Sequence, residues 1–234
     1  MRLSERLLEI ARLVPKGSSV ADVGTDHALL PIYLIKEGIA RKVIAIEVRP
    51  APWRRAMESV AQAGLSDFID VRLGDGFGPL KVGEVDVAII AGLGGETIWS
   101  IMEKAPEIAG SLEALILQPM KNVHRLRKAL FENSFEITEE RVVLSGERYF
   151  EILVAKKGTS RSFDEEDLMI GPVLKGRRTP EVLEYIKRRL DRLDGRIKEL
   201  EGRDSENARR AKESMLREME LLKVVLKKWS AFRP

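Results

Sequence analysis

Acidic residues stand beside glycines at the ends of three apolar, β-branched runs of the sequence. Asp22 and Gly24 follow the first run, Glu47 ends the second, and Asp75 lies between two glycines after the third. Ligands bind beyond the carboxyl ends of parallel strands, so we expect these residues to line one cleft. Glu47 lies 23 residues after Gly24, a spacing at which a carboxylate accepts hydrogen bonds from both ribose hydroxyls. Asp75 could accept one from an adenine amine.

The order of these features along the chain favours S-adenosylmethionine over a nicotinamide dinucleotide. A glycine turn, then a ribose acid, then an adenine acid is the order in which class I methyltransferases meet S-adenosylmethionine. Taken singly, an Asp before Gly is more typical of a turn or helix cap, and it is their co-occurrence that predicts a site. The G-x-G-x-x-G and Walker phosphate-loop patterns are absent, which argues against a nicotinamide-dependent oxidoreductase.

The loop after the fourth apolar run holds three glycines in the four residues 92–95. Glycines let backbone groups approach a planar ligand because no side chain intervenes. The Asn-Pro-Pro-aromatic motif found at this place in many amino-group methyltransferases is missing. The loop is therefore compatible with a ring nitrogen as methyl acceptor and argues against an exocyclic amine.

A ring nitrogen with a free lone pair needs no covalent nucleophile, and the chain has no cysteine that could activate a pyrimidine. Asp26 is the first candidate for an electrostatic or orienting group, and His27 is the second. The alternative is that Asp26 caps the following helix and that His27 is a partly buried structural histidine.

Seven apolar runs alternate with stretches of helical periodicity over the first 157 residues. The runs lie at 19–25, 42–48, 69–73, 85–91, 114–118, 137–144 and 149–156, with helices expected near 3–14, 29–37, 51–63, 96–104 and 123–133. This alternation predicts a parallel sheet covered by helices. The turn signal Ser145-Gly146 predicts that the last two strands are antiparallel. We expect an α/β fold with a seven-stranded Rossmann-like sheet.

A second domain, 158–234, is expected to follow the first domain, 1–157. Residues 157–180 are rich in Gly, Ser, Pro and charge, and we expect an irregular linker there. Apolar residues then recur every three or four positions from 183 to 200 and more loosely from 208 to 229. These stripes predict an antiparallel coiled-coil hairpin of two helices.

Charge is unevenly placed along the chain. Residues 175–234 carry a net charge of +7, whereas residues 1–174 carry −4. The basic tail is a candidate phosphate-binding arm, although the heptads predict a dimerisation or docking hairpin at least as well.

Composition excludes several classes of site. Without cysteine there are no disulfides, thiolate zinc sites or iron–sulfur clusters, and with only two histidines we expect no metal. No apolar run approaches the roughly 20 residues that span a bilayer, and the first residues lack the apolar core of a signal peptide. We expect a cytoplasmic protein that binds no membrane, its oligomeric state open with a monomer favoured.

Six segments together resemble the bacterial tRNA (adenine(22)-N(1))-methyltransferase family. They are VADVGTDHALLPIYL at 20–34, AIEV at 45–48, RLGDGF at 72–77, IAGLGGETI at 90–98, LILQP at 115–119 and RYFEIL at 148–153. The GTDHA and AG-x-GG motifs are the most specific of these. The chain departs from the family in two places: Leu93 stands where Met is usual, and Ala51-Pro52 where Gly-Pro is usual.

The resemblance implies a Rossmann-like catalytic domain, S-adenosylmethionine as donor, and N1 methylation of adenosine 22 in the D-loop region of tRNA. The predicted donor-binding residues are Asp22, Gly24, Thr25, Glu47, Val48, Gly74, Asp75, Gly76 and Ala91. The predicted catalytic residues are Asp26, His27, Gly92, Leu93 and Gly94. The predicted RNA-binding residues are Lys175, Arg177, Arg178, Lys187, Arg188, Arg189, Arg209 and Arg210. The alternative is a catalytically silent module that binds S-adenosylmethionine and uses its hairpin for dimerisation or docking.

Overall fold

The computed structural model describes residues 3–159, 162–202 and 205–231. The chain divides into two compact units, residues 1–162 (unit 1) and residues 163–234 (unit 2). No helix within the described ranges is long and apolar enough to cross a membrane.

Unit 1 is built on one seven-stranded sheet. Its strands are β1 (Ser18–Val23), β2 (Ala40–Glu47), β3 (Ile69–Leu73), β4 (Val87–Leu93), β5 (Ala114–Pro119), β6 (Phe135–Ser145) and β7 (Arg148–Lys157). The spatial order is β3-β2-β1-β4-β5-β7-β6. Strands β1 to β5 run parallel, and β7 is antiparallel to both β5 and β6. The predicted Rossmann-like sheet with its antiparallel closing pair is confirmed.

The fourth strand starts two residues later than predicted, at Val87 rather than at 85. Asp86 precedes the strand, and its carboxylate accepts hydrogen bonds from the Ser19 backbone N–H at 2.7 Å and from the Ser19 hydroxyl at 2.9 Å. The strand then runs on to Leu93, which pairs with Pro119. Part of the glycine-rich loop therefore belongs to the sheet.

Helices cover both faces of the sheet in unit 1. They are α1 (Glu5–Leu13), α2 (Leu29–Lys36), α3 (Pro50–Gln62), α4 (Gly95–Glu103), α5 (Pro106–Ser111) and α6 (Val123–Glu132). The sequence pattern missed α5, a short helix that begins at a proline, as helices often do. Strands β1 and β5 are buried along their whole length, as expected of a parallel sheet packed on both sides.

A buried charged cluster fixes α6 to the closing strands. Arg127 is fully buried, and its Nε lies 2.8 Å from Glu140 Oε1 while a second guanidinium nitrogen bonds Glu151. A buried charge is tolerated when it is paired and hydrogen-bonded in this way. The cluster is structural and lies away from the strand ends described below.

Unit 2 is entirely helical over its described residues. It contains α7 (Glu165–Met169), α8 (Pro172–Arg177), α9 (Pro180–Glu199) and α10 (Glu206–Ala231). The expectation of an irregular linker over 157–180 is wrong for the part that forms α7 and α8. Asp164 and Asp167 make a capping box that starts α7, and Pro172 begins α8.

Helices α9 and α10 pack as an antiparallel hairpin. Arg189 of α9 pairs with Glu218 of α10 at 2.7 Å, and the Arg178 guanidinium lies 5.7 Å from the ring centre of Trp229. The buried face is formed by Val182, Tyr185, Ile186, Leu193 and Ile197 on α9 and by Met219, Leu222, Val225 and Trp229 on α10. Three of these buried residues, Val182, Tyr185 and Val225, lie outside the predicted stripes, and coiled-coil packing in the strict sense stays a prediction. The predicted stripes are Leu183, Ile186, Leu190, Leu193, Ile197 and Leu200 on the first helix and Ala208, Ala211, Met215, Met219, Leu222, Leu226 and Trp229 on the second.

Candidate functional site

A cleft of about 490 Å³ opens at the carboxyl ends of β1 to β4. The strand order reverses between β1 and β4, because β2 and β3 lie on one side of β1 and the chain then returns to the other side. Such a reversal is the usual ligand site of an open parallel sheet. The predicted residues that line the cleft are Gly24, Asp26, Glu47, Val48, Gly74, Asp75, Gly76, Ala91, Gly92 and Leu93.

A smaller cavity of about 150 Å³ adjoins the cleft and shares part of its wall. Three further predicted residues, Asp22, Thr25 and His27, line this smaller cavity. Gly94 is not among the residues that line either cavity. The structure thus brings the predicted donor residues and most of the predicted acceptor residues together at one end of the sheet.

The turn after β1 is held by its backbone. Gly24 has a φ of +81°, a conformation that glycine adopts without strain. The N–H groups of Gly24 and Thr25 both donate to the Ile46 carbonyl, at 2.9 and 3.1 Å. Asp26 and Ala28 are also left-handed, with φ of +51° and +54°, which is uncommon for residues with a side chain. Strained backbone of this kind clusters at functional sites.

Glu47 is buried at the floor of the cleft, with a side chain only 5% exposed. Its Oε1 accepts the Arg49 backbone N–H at 3.1 Å, and its Oε2 accepts the Asp26 backbone N–H at 3.3 Å. Each carboxylate oxygen can accept a second hydrogen bond. A fixed, buried carboxylate with spare acceptor capacity is suited to a pair of vicinal hydroxyls.

Asp75 lies at the mouth of the cleft, 63% exposed, with its Oδ2 3.1 Å from Lys104 Nζ. The glycines on either side are required by the turn. A Cβ on Gly74 would lie 2.3 Å from Pro79 Cγ, and Gly76 has a φ of +55°. The turn therefore holds Asp75 in place at the rim.

The three glycines of segment 92–95, which joins the end of β4 to the start of α4, differ in what requires them. Gly92 has a φ of +79°, and a Cβ on Gly95 would lie 2.6 Å from the Asn122 carbonyl oxygen. A Cβ on Gly94 would meet only flexible side-chain atoms, the nearest being Lys121 Cε at 3.3 Å. The fold therefore requires glycine at positions 92 and 95 but not at position 94. A ligand that packs against the backbone there would explain glycine at position 94.

Asp22 is a buried carboxylate at the end of β1. Burial raises the pKa of Asp22 to about 6, and the nearby Glu47 carboxylate acts in the same direction, whereas the Thr25 hydroxyl beside it opposes the shift. A carboxylate held in this way is readily stabilised by an incoming cation.

Asp26 and His27 lie at the opening of the smaller cavity, with side chains 58% and 47% exposed. Asp26 Oδ2 is 3.8 Å from His27 Nε2, and its Oδ1 is 3.8 Å from Arg55. Neither residue caps α2 through its side chain, because the N-cap of that helix is Ala28. Both side chains are accessible to a group that enters from solvent.

Sequence reasoning missed two residues, Arg6 and Gln118. Gln118 is fully buried at the end of β5, where its Oε1 accepts the Gly92 N–H at 3.2 Å and a hydrogen bond from the Arg6 guanidinium. Its Nε2 donates to the Pro119 carbonyl at 2.9 Å. Arg6 lines both cavities, and its guanidinium lies 5.5 Å from the ring centre of Phe150. Gln118 thus joins α1 to the glycine-rich loop.

Comparison with known proteins agrees with this geometry. A family model described as a methyltransferase domain matches residues 3–153. The tRNA (adenine(22)-N(1))-methyltransferase of Bacillus subtilis is 31% identical over 232 residues, covering 97% of this chain and 98% of its own. The chain belongs to this family.

Solved structures of the family share the whole fold. The B. subtilis m1A22 tRNA methyltransferase TrmK matches with a TM-score of 0.82 at 30% identity, covering 96% of this chain and 99% of its own. Sp1610 of Streptococcus pneumoniae, in complex with S-adenosyl-L-methionine, matches with a TM-score of 0.84 at 30% identity, covering 96% and 100%. The predicted family and methyltransferase fold are confirmed.

Several of the predicted RNA-binding cations already have acidic partners within unit 2. Lys175 lies 2.6 Å from Asp164, Arg188 lies 3.1 Å from Glu184, and Arg210 lies 2.6 Å from Glu206. Arg189 is the most deeply placed, since it pairs with Glu218 and also donates to the Met169 carbonyl at 2.8 Å.

The other predicted RNA-binding residues lie at the surface of unit 2. Arg178 lies over the Trp229 ring, while Arg177 and Arg209 are exposed. Lys187 is exposed and makes no ion pair in the parts of the chain that the structure describes. The RNA-contact set stays a prediction, and the residues paired with acids are its weaker members.

Proposed function

We propose that this chain transfers the methyl group of S-adenosyl-L-methionine to N1 of adenosine 22 in tRNA. The observation that carries the proposal is the buried Glu47 carboxylate, held by two backbone N–H groups on the floor of a cleft at the topological switch point. A relative with this activity aligns over 97% of the chain. An enzyme of tRNA would work in the cytoplasm.

The residues of the cleft fit S-adenosyl-L-methionine. Its volume of about 490 Å³ lies within the range of roughly 300–1,000 Å³ of small-molecule sites. Glu47 would accept from the ribose hydroxyls, Asp75 from the adenine amine, and Gly24 leaves the backbone open to close approach. When bound, the donor supplies a methyl group on a positively charged sulfur, ready for displacement by a nucleophile.

The chain's own part in the reaction is positioning and electrostatics. Adenine N1 carries an in-plane lone pair, so in-line attack requires no enzyme nucleophile, and the chain contains no cysteine. Alignment of two bound reactants is a large source of rate enhancement. The accessible carboxylate of Asp26, with His27 beside it, would stabilise the positive charge that methylation leaves on the adenine.

The glycines of segment 92–95 would let the target base approach the backbone closely. Gln118 fixes this segment through the Gly92 N–H, and the side chains of Leu93 and Thr97 line the adjacent wall. In a paired or stacked tRNA segment the N1 edge is hidden, so the nucleotide must leave its stack to reach the loop.

Unit 2 would contribute to tRNA affinity through cations that have no acidic partner. Among its described residues, several exposed cations make no ion pair: Lys187, Arg192, Arg196, Lys223 and Lys227. Arg192 and Arg196 are four residues apart on α9, as are Lys223 and Lys227 on α10. Two positive side chains four residues apart on a helix repel each other when no RNA is bound. The phosphates of a bound tRNA would neutralise them and relieve that repulsion.

Nucleoside analysis of a modified transcript tests the function. An unmodified tRNA with adenosine at position 22 is incubated with the full chain and the donor, digested, and analysed by mass spectrometry against a transcript with guanosine at that position. We expect 1-methyladenosine from the first transcript and none from the second. Methylation of both transcripts, or formation of N6-methyladenosine, would contradict the assignment.

A further inference from the structure

The turn between β5 and α6 is fixed against the glycine-rich segment 92–95. The Met120 N–H donates to the Leu93 carbonyl at 2.8 Å. The Lys121 carbonyl in turn accepts the Gly95 N–H at 2.9 Å. The backbone of Lys121 therefore has a defined place beside the segment that the target base would approach.

The side chain of Lys121 lies across Gly94. A Cβ on Gly94 would lie 3.3 Å from Lys121 Cε and 3.7 Å from its Cγ, so the methylene stem of the lysine runs over this glycine. Neither Lys121 nor Gly94 is among the residues that line the donor cleft or the smaller cavity. The lysine thus lies beside the donor site and not in it.

The ammonium group of Lys121 is exposed and makes no ion pair within the described part of the chain. Glu96 is a nearby acid, but it has other partners. The Arg125 hydrogen bond lowers the pKa of Glu96, and the charge of Lys121 adds to that effect without a direct bond. The Glu96 carboxylate also accepts a hydrogen bond from the Asn122 amide at 3.1 Å. Lys121 is therefore available to an anion from outside the chain.

A cation at this place suits a phosphate better than the reacting edge of the base. Methyl transfer leaves a positive charge on the adenine, so an ammonium group beside N1 would oppose the reaction, whereas a carboxylate there favours it. The anionic group that a nucleotide carries is its phosphate. Lysine binds phosphate as a point charge on a flexible stem, so its ammonium group can follow the phosphate as the nucleotide enters.

Resting on the proposed function, we propose that Lys121 binds a phosphate adjoining the target adenosine and so holds the unstacked nucleotide beside Gly94. The nucleotide must leave its stack before it can react, and an ion pair formed only in that state offsets part of the cost of unstacking. Lys121 is then a binding residue of the acceptor site, separate from the donor residues at the ends of β1, β2 and β3.

Substrates that lack one negative charge test this inference. The tRNA is assembled by ligation with a neutral methylphosphonate in place of the phosphate on either the 5′ or the 3′ side of adenosine 22. For the wild-type chain we expect kcat/KM to fall about ten-fold at one of the two linkages, because one charge-assisted hydrogen bond is lost. Lys121→Met removes the ammonium group and keeps the stem. It should lose about ten-fold on the natural tRNA and little more on the methylphosphonate tRNA.

Two further variants and one binding measurement serve as controls. Lys128→Met changes an exposed lysine of α6 that pairs with Glu132 at 3.7 Å, and it should behave as the wild type does on each substrate. Lys121→Arg keeps the charge and should stay sensitive to the methylphosphonate, even if Lys121→Met folds poorly. Calorimetry with S-adenosyl-L-homocysteine should find wild-type donor affinity in every variant.

The outcomes separate this inference from the proposed function. Wild-type kcat/KM in Lys121→Met, or a full further loss when this variant meets the methylphosphonate tRNA, would overturn the inference. Equal activity of the wild-type chain on all the substrates would do the same. If the wild-type chain forms no 1-methyladenosine on the natural tRNA, the proposed function fails, and this inference fails with it.

Discussion

Charged side chains are arranged differently in the cleft of unit 1 and in the helices of unit 2. In the cleft and its side cavity, Asp22 is buried and Arg6 is half-buried, and neither makes an ion pair with any residue that the structure describes. In unit 2, charged residues lie mostly at the surface and many are paired, as in Arg189 with Glu218 and Lys198 with Asp194. A buried charge without a partner lowers the folding stability of the ligand-free protein. A ligand group of opposite charge removes that cost when it binds, so the complex is stabilised. The cleft is therefore organised for a ligand, and unit 2 first for its own packing.

The division of the chain also changes the charge contrast expected from the sequence. Residues 163–234 carry 18 basic and 15 acidic side chains, a net charge of +3, which leaves residues 1–162 at zero. The larger contrast in net charge arose because the sequence-based expectation divided the chain after residue 174. That division counted the four acidic residues 164–167 with the first part of the chain, although they belong to unit 2. Those acids pair with Lys175, Arg217 and Lys228. On the proposed function, we expect attraction to RNA to come from local stripes of cations rather than from a strongly basic tail.

The largest expected effect in the cleft is on turnover in Gly94→Val. The backbone at Gly94 suits any residue, with a φ of −70°, but a branched side chain would press on Lys121 and Thr97 beside the proposed base surface. Because a misplacement of about 1 Å can cost on the order of 100-fold in rate, we expect kcat to fall by about that factor with donor affinity unchanged.

Gly94→Ala is the matched control and should lose far less activity, since its Cβ meets only side-chain atoms of Lys121 and Thr97, at 3.3 Å or more. Equal loss of turnover and donor affinity in Gly94→Val would place the defect in the fold or in the donor site. Single-turnover rates and calorimetry measure the two quantities separately.

The next effect concerns the stability of Asp22→Asn. The pKa of Asp22 is about 6 in the folded chain and 3.8 for the unperturbed group, so its ionisation costs the folded state about 3 kcal/mol above pH 6. Between these pH values the folded state binds more protons than the unfolded state, and wild-type stability falls as pH rises. We expect the stability advantage of Asp22→Asn to grow from about pH 4 to pH 6 and then to level off.

Urea unfolding of both chains without ligand at several pH values between 4 and 8 checks this. A stability difference that does not vary over this range would show that Asp22 is not titrating as described. The same variant should bind the donor more weakly than wild type, so its gain in stability is a loss in function.

Glu47→Ala should weaken donor binding by about 1–3 kcal/mol, through the loss of charge-assisted hydrogen bonds to the ribose. Glu47→Gln keeps the shape and the acceptor oxygen and should lose less. Calorimetry that finds wild-type affinity in Glu47→Ala would remove Glu47 from the donor site.

The smallest effect per residue is expected in unit 2. Replacing both Arg192 and Arg196 with alanine should lower the log–log salt slope of tRNA binding by about two, because each phosphate that the protein neutralises adds close to one to that slope. The paired residues Arg188 and Arg210 provide the matched double variant, whose slope should change less. An equal fall of the salt slope in both double variants would mean that arginines paired with acids within unit 2 contact RNA as readily as unpaired ones.

The strand-end residues of the cleft were predictable because they follow from local pattern. Asp22, Glu47 and Asp75 each follow an apolar run, and the carboxyl ends of parallel strands must meet at one edge. Arg6 and Gln118 depend on how α1 packs across that edge, which no local pattern specifies. One signal was present in the sequence: Arg6 stands beside the apolar stripe formed by Leu3, just before α1, and by Leu7 and Ile10 within it, which places an arginine next to the packed face of the helix.

Proton exchange on donor binding tests most directly whether the cleft's uncompensated charge is reserved for the donor. With its pKa raised to about 6, Asp22 is partly protonated near pH 6 in the free chain, and a positively charged group of the donor beside it would favour the charged form. Calorimetric titration with S-adenosyl-L-homocysteine at pH 6, in two buffers of different ionisation enthalpy, should show proton release on binding, and none with Asp22→Asn. Equal binding enthalpies for the wild-type chain in the two buffers would contradict the account.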